Sequence, residues 1–137
     1  MSIKNHFMWC LLLFFCLNLR AQSAAPPEWK TDFDAAVEEA YNSETQKFVF
    51  VLFTGSDWCL PCMQLKNQVL EKEAFLEFAR QRLVLVKVDF PRLEMNKLPR
   101  WQEKYNESLA REYNPDHIFP LIAIVNEHEE LLGTLFY

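Results

Sequence analysis

Apolar and polar positions alternate between two rhythms along this chain, and the switches between them mark its elements. Phe48-Val49-Phe50-Val51-Leu52-Phe53 is an unbroken run of β-formers. A run apolar on both faces predicts a buried central strand with layers on each side. Leu65, Val69, Leu70, Phe75, Phe78 and Ala79 then form a stripe at helical spacing. Leu83 to Phe90 returns to strand character. Strand, helix and strand in that order predict a parallel β-α-β unit with a right-handed crossover.

The flanking segments extend the pattern. Thr31 or Asp32 can cap a helix with Asp34 in its first turn. Phe33, Val37 and Tyr41 are spaced to face the core, while Glu38, Glu39 and Glu44 suit a solvated face. Pro91 to Pro99 reads as a loop. Trp101, Tyr105, Leu109 and Tyr113 recur every four residues and predict a core-facing stripe. Asn114-Pro115-Asp116 stops that helix. Leu121 to Val125 is a further strand, Asn126 to Glu130 a polar turn carrying an exposed His128, and Leu131 to Tyr137 a returning strand.

The first twenty-five residues follow another logic. Lys4 precedes an apolar run from Phe7 to Leu19, and Ala21, Ser23, Ala24 and Ala25 supply a small-residue exit. That is the layout of a secretory signal peptide, with cleavage after Ala21 or Ala25. The apolar run is short for a membrane span, and a retained anchor is the alternative. Phe14 and Phe15 stand before Cys16 where a lipoprotein signal would place small residues. The division is therefore a signal over 1–25 and one domain over 26–137.

Export changes two quantities. The formal charge of −5 loses Lys4 and Arg20 and no acid, leaving −7, so nothing supports binding to nucleic acid. Of the four cysteines, Cys10 and Cys16 leave with the signal, and Cys59 and Cys62 remain. A four-cysteine zinc site is then out of reach without a partner chain. The only two glycines, Gly55 and Gly133, exclude a glycine-rich phosphate loop. The remaining chemistry lies in Trp58-Cys59-Leu60-Pro61-Cys62, at the junction of strand and helix. Cysteines three apart on a first helical turn lie close enough to bond. The helix N-terminus favours a thiolate at the first of them. Such a pair supports thiol–disulfide exchange, half of a metal site or a structural bridge. In an exported protein a lone pair of this kind favours catalysis.

Phe53-Thr54-Gly55-Ser56-Asp57-Trp58-Cys59-Leu60-Pro61-Cys62, the helix after it and Val86-Lys87-Val88-Asp89-Phe90-Pro91 resemble exported thioredoxin-fold proteins. Within them, the chain is similar to the small periplasmic disulfide reductases of the DsbH type, over residues 30–137. The resemblance implies an α/β thioredoxin fold, with a central mixed sheet flanked by helices. The family's C-terminal helix has no counterpart here, so the expectation is a fold lacking that helix, in a fragment or with that face covered otherwise.

The resemblance also implies roles. Cys59 is the nucleophile and Cys62 the resolving thiol, and their disulfide serves in place of any cofactor or metal. Trp58, Leu60 and Pro61 shape the site, and Phe119 with Pro120 supplies a cis-proline that faces it and pairs with substrate. The implied partners are disulfide-containing exported proteins and a membrane thiol electron donor of the DsbD kind, in the periplasm; the single small domain makes a monomer the default expectation. Three departures stand out. Six residues before the first cysteine, where many thioredoxins bury an acid, stands Phe53; Asp57, Asp89 or water would have to substitute. Phe119 replaces a small or β-branched residue before the proline. Met63 replaces a lysine after the second cysteine, which weakens thiolate stabilisation, while Lys66 is more simply a solvated side chain. The segment up to Pro120 is about one residue longer than is typical, and His117 within it is either a proton shuttle or a solvated bystander. The alternatives to a reductase are an oxidase or isomerase, or a copper(I) site on Cys59 and Cys62 with His117 or Met63.

Overall fold

A computed structural model of the chain describes residues 25–137. The signal-peptide reading of residues 1–25 therefore falls almost wholly outside the described residues. Among those described, no helix is long and apolar enough to cross a membrane.

A two-residue strand β1 (Trp29–Lys30) opens the fold, followed by helix α1 (Phe33–Tyr41). Strand β2 (Phe48–Thr54) leads into α2 (Leu60–Leu65), which continues as a π-helical turn over Lys66–Leu70. Then come α3 (Glu73–Arg82), β3 (Leu83–Asp89), a short 3₁₀ turn (Glu94–Asn96) and α4 (Arg100–Tyr113). Strands β4 (Leu121–Val125) and β5 (Leu131–Phe136) close the described chain. The sheet order is β1-β3-β2-β4-β5. β2 runs parallel to β3 and antiparallel to β4, so the sheet is mixed. β2 sits at its centre, as its unbroken apolar run predicts. β1 pairs with β3 in parallel; the sequence pattern is too short there to reveal it.

The pleat sorts the central strands between two cores. Val49, Val51 and Phe53 of β2 pack with Val84, Val86 and Val88 against α1 and α4. Phe50 and Leu52 pack with Leu83, Leu85 and Ile122 on the other face, against α2, its π-turn and α3. Asp32 caps α1, its carboxylate accepting the Ala35 N–H at 3.0 Å. The Phe33 N–H donates to the Tyr105 hydroxyl at 3.0 Å, tying α1 to α4.

Several side chains depart from the stripes. Tyr41 is 66% exposed, and Ala36 and Ala40 fill the core face of α1 instead. Val69 and Phe78 are exposed because the π-turn adds a residue per turn and α3 starts afresh at Glu73. Trp101 is 69% exposed. The buried face of α4 carries Gln102 and Asn106, two polar residues that no apolar pattern reveals. The Gln102 amide donates to the Asn106 side chain at 2.8 Å and to the Thr31 carbonyl at 3.2 Å. Asn106 donates to the Asp89 carbonyl at 2.8 Å. These bonds satisfy buried amides and fix α4 against the end of β3, beside the cysteine turn. Leu131, Leu132, Leu135 and Phe136 of β5 are all exposed.

Candidate active site

Cys59 and Cys62 form a disulfide with Cα atoms 5.2 Å apart. The turn from β2 into α2 places them. Gly55 accepts the Cys59 N–H at 2.9 Å through its carbonyl. Cys59 is the N-cap of α2, in extended conformation, and its sulfur accepts the Cys62 N–H at 3.3 Å. Pro61 lies in the first turn, where its missing N–H costs nothing. An N–H directed at Cys59 Sγ favours a thiolate there once the bond is reduced. Both sulfur residues are buried, at 4% and 5% exposure, while Leu60 between them stands 65% exposed.

Trp58 forms one wall of the turn. Its indole N–H donates to the Phe90 carbonyl at 2.7 Å. Its ring meets Phe119 edge-on at 5.5 Å, and Phe119 meets Phe90 at 5.3 Å. The indole lies on Gly55, where a Cβ would come within 2.5 Å of its Nε1 and 2.6 Å of its Cζ2; glycine is needed here for close approach. The Phe119–Pro120 peptide is cis. Buried Asn114 holds the loop before it, bonding both the N–H and the carbonyl of Ile118 at 2.9 Å. From sequence, Asn114 reads only as a helix stop.

Two carboxylates beside the cysteine turn, Asp57 and Asp89, act as ties. Asp89 accepts the Ser56 N–H at 3.0 Å and its hydroxyl at 2.6 Å. Asp57 accepts the backbone N–H groups of Arg92 at 2.9 Å and Leu93 at 3.0 Å, and the Asn96 amide at 3.0 Å. Together they fasten the loop after β3 to the cysteine turn. The Arg92 N–H and Asn96 amide, with the Leu93 N–H, hold the Asp57 carboxyl below the usual carboxylate range. A depressed carboxyl stabilises the folded loop above its unfolded pKa and loses that contribution as pH falls through the folded value. The Arg92 and Leu93 amide resonances should therefore titrate together, with a midpoint below the ordinary Asp value of about 3.9. Amide shifts that follow acidification at that ordinary value, or not at all, would contradict the tie.

Phe53 does not face the dithiol. It lies in the core on the α1–α4 side of the sheet, whereas α2 lies on the other. A cavity of about 290 Å³ behind Cys62 is lined by Leu52 and Thr54, with Met63, Lys66, Glu71 and Lys87. The residues of β2 beside Cys62 are thus Leu52 and Thr54, neither of them an acid. Counting six residues back from Cys59 misses this because the pleat, rather than the count, decides the face. Glu71, the carboxylate on this cavity, pairs with Lys66 at 3.5 Å.

His117 stands outside this arrangement. Its ring contacts the Pro115 carbonyl at 3.2 Å and the Glu107 carboxylate at 3.2 Å, which raise its pKa in that order. It lies 6.4 Å from the Phe119 ring, beside the aromatic wall. Among the described residues no three His, Cys, Asp or Glu side chains gather as a metal site would require.

A family model described as thioredoxin-like matches residues 28–127. The chain belongs to the thioredoxin-like family. It is 32% identical over 112 residues to the disulfide bond reductase DsbH of Chlamydia pneumoniae, covering 82% of this chain and 64% of that protein. It thus spans less than two thirds of that relative's length. Over 62 residues it is 32% identical to the thioredoxin-related protein DsbJ of Chlamydia pneumoniae, covering 45% of this chain and 17% of that one. Among solved structures, a DsbH oxidoreductase superposes with a TM-score of 0.74 at 29% identity, covering 85% of this chain and 76% of that one. A thioredoxin from Thermus thermophilus superposes at 0.58 with 20% identity, over 82% of this chain and 76% of that one, which bears on the fold. The thioredoxin fold implied by the resemblance is the fold observed, in its mixed central sheet with helices on both faces.

Proposed function

We propose that this chain is a thiol–disulfide oxidoreductase that reduces disulfides of exported proteins in the periplasm. The observation that carries the reading is the bonded Cys59–Cys62 pair at the head of α2, with an N–H directed at Cys59 Sγ. Similarity to a protein named as a disulfide bond reductase supports the direction, as does the proline before the second cysteine. The layout of residues 1–25 supports export.

In the reduced protein the Cys59 thiolate attacks one sulfur of a substrate disulfide. That S–S bond breaks, a mixed disulfide forms, and the other substrate sulfur leaves as a thiolate that takes up a proton. Cys62, having lost its proton, then attacks Cys59 Sγ and expels the second substrate thiolate. Two electrons have passed from the dithiol to the substrate, and Cys59–Cys62 is again a disulfide. A membrane thiol donor of the DsbD kind would return the two electrons. Trp58 and Leu60 bound the approach to the sulfurs, with Pro61 shaping the turn and Phe119 and Pro120 offering backbone to an extended substrate segment.

The test mixes the pre-reduced protein with insulin and follows both partners. Thiols appearing on insulin as the Cys59–Cys62 dithiol is consumed, one pair for one disulfide, are the expected result. A dithiol that stays reduced while insulin stays oxidised would sink the reading.

A further inference from the structure

The Arg92 guanidinium lies over the Trp58 ring, with its central carbon 3.7 Å from the ring centroid. Stacking engages the face of the guanidinium and leaves the N–H groups on its edge. Among the described residues, those edge groups meet no carboxylate: Arg92 is in none of the ion pairs or side-chain hydrogen bonds. Asp57, which precedes Trp58 in this turn, accepts from the Arg92 and Leu93 backbone N–H groups and from the Asn96 amide. The Arg92 backbone N–H is tied to Asp57 and its guanidinium rests on Trp58, while the side chain is exposed and in no ion pair among the described residues. It stands over the residue that immediately precedes Cys59.

We propose that Arg92 is a specificity residue that selects disulfides flanked by an aspartate or glutamate in the substrate. The proposal rests on the reading of Cys59–Cys62 as an exchange site. A planar edge of free N–H donors matches a carboxylate bidentately. The Asp57 tie holds the loop in place before substrate arrives, so little ordering cost falls on binding. The chain as a whole is acidic, at −5, so an acidic substrate is repelled by most of the surface and met favourably at this rim. Lys97, the other cation of the same loop, is already paired with Glu94 at 2.9 Å.

Three disulfide peptides test it, identical except for Glu, Gln or Lys beside one half-cystine. The reduced protein should reduce the Glu peptide about tenfold more efficiently than the Lys peptide at low salt, a ratio worth about 1.4 kcal/mol. The preference should appear chiefly in KM and shrink as salt is added. Arg92→Gln should bring the Glu peptide to the level of the Gln peptide measured with the same variant. Arg92→Lys should keep part of the preference, since it keeps the charge without the fork. An unaltered Glu-to-Lys ratio in Arg92→Gln would overturn the proposal. Equal slowing of all three peptides would overturn it too, by making Arg92 a prop for Trp58. In both cases Cys59-dependent reduction persists and the oxidoreductase reading stands. If the wild-type protein reduces none of the peptides, both fall.

Discussion

Cys59→Ser should lower disulfide reduction by at least roughly 10³-fold, the scale of loss when a nucleophile is removed from a covalent mechanism. A serine hydroxyl can cap α2 as the sulfur does, so the fold and its melting temperature should stay close to those of the reduced wild-type protein, which lacks the Cys59–Cys62 bond as the variant does. Cys62→Ser should behave differently. Its Cys59 can still attack, but nothing resolves the product, and the protein should accumulate as a mixed disulfide with its substrate. Mass spectrometry of the reaction mixture separates the two variants directly. A trapped adduct on Cys59→Ser, with none on Cys62→Ser, would reverse the assigned roles. The asymmetry rests on position: both residues are buried to the same degree, but only Cys59 sits at the cap with an N–H directed at its sulfur.

Phe53→Ala should cost about 3–5 kcal/mol of stability, as expected for emptying a buried phenylalanine site. Phe53 is fully buried in β2, the strand that pairs on both sides and leads into the cysteine turn. Its neighbours Val51, Val88 and Leu121 belong to strands that cannot close the void without breaking their ladders. The loss corresponds to roughly 10–20 °C in melting temperature for a domain of this size. Phe78→Ala is the control: that ring is 55% exposed on α3, and its removal should change stability by less than about 0.5 kcal/mol. Thermal melts of the two variants give the comparison. Equal shifts would contradict the burial of Phe53 in the core.

The same residue shows where sequence reading stops. The run from Phe48 to Phe53 reveals a central strand because both of its faces are covered, and apolar content alone carries that information. Which side chain then faces the dithiol depends on the pleat and on the turn from Thr54 to Trp58, so Leu52 and Thr54 line the cavity behind Cys62 while Phe53 points away. The cysteine pair was legible because its spacing is local. The ties around it were not. Asp57 finds its donors on residues 92, 93 and 96, and Ser56 finds Asp89; these are polar contacts across more than thirty residues, with no periodicity to announce them. Gln102, Asn106 and Asn114 are hidden for a related reason. Each is a polar residue buried because its hydrogen bonds are satisfied, and an apolar stripe cannot register that. Trp101 and Tyr41 err in the opposite sense, as large apolar side chains that the helix rotation leaves in solvent.

The reduction potential of Cys59–Cys62 tests the central claim most directly. It is obtained by equilibrating the protein with glutathione buffers of graded composition and reading the fraction oxidised. A reductase should give a value near that of thioredoxin, about −270 mV, and a value near about −120 mV would instead describe an oxidant and contradict the direction assigned here.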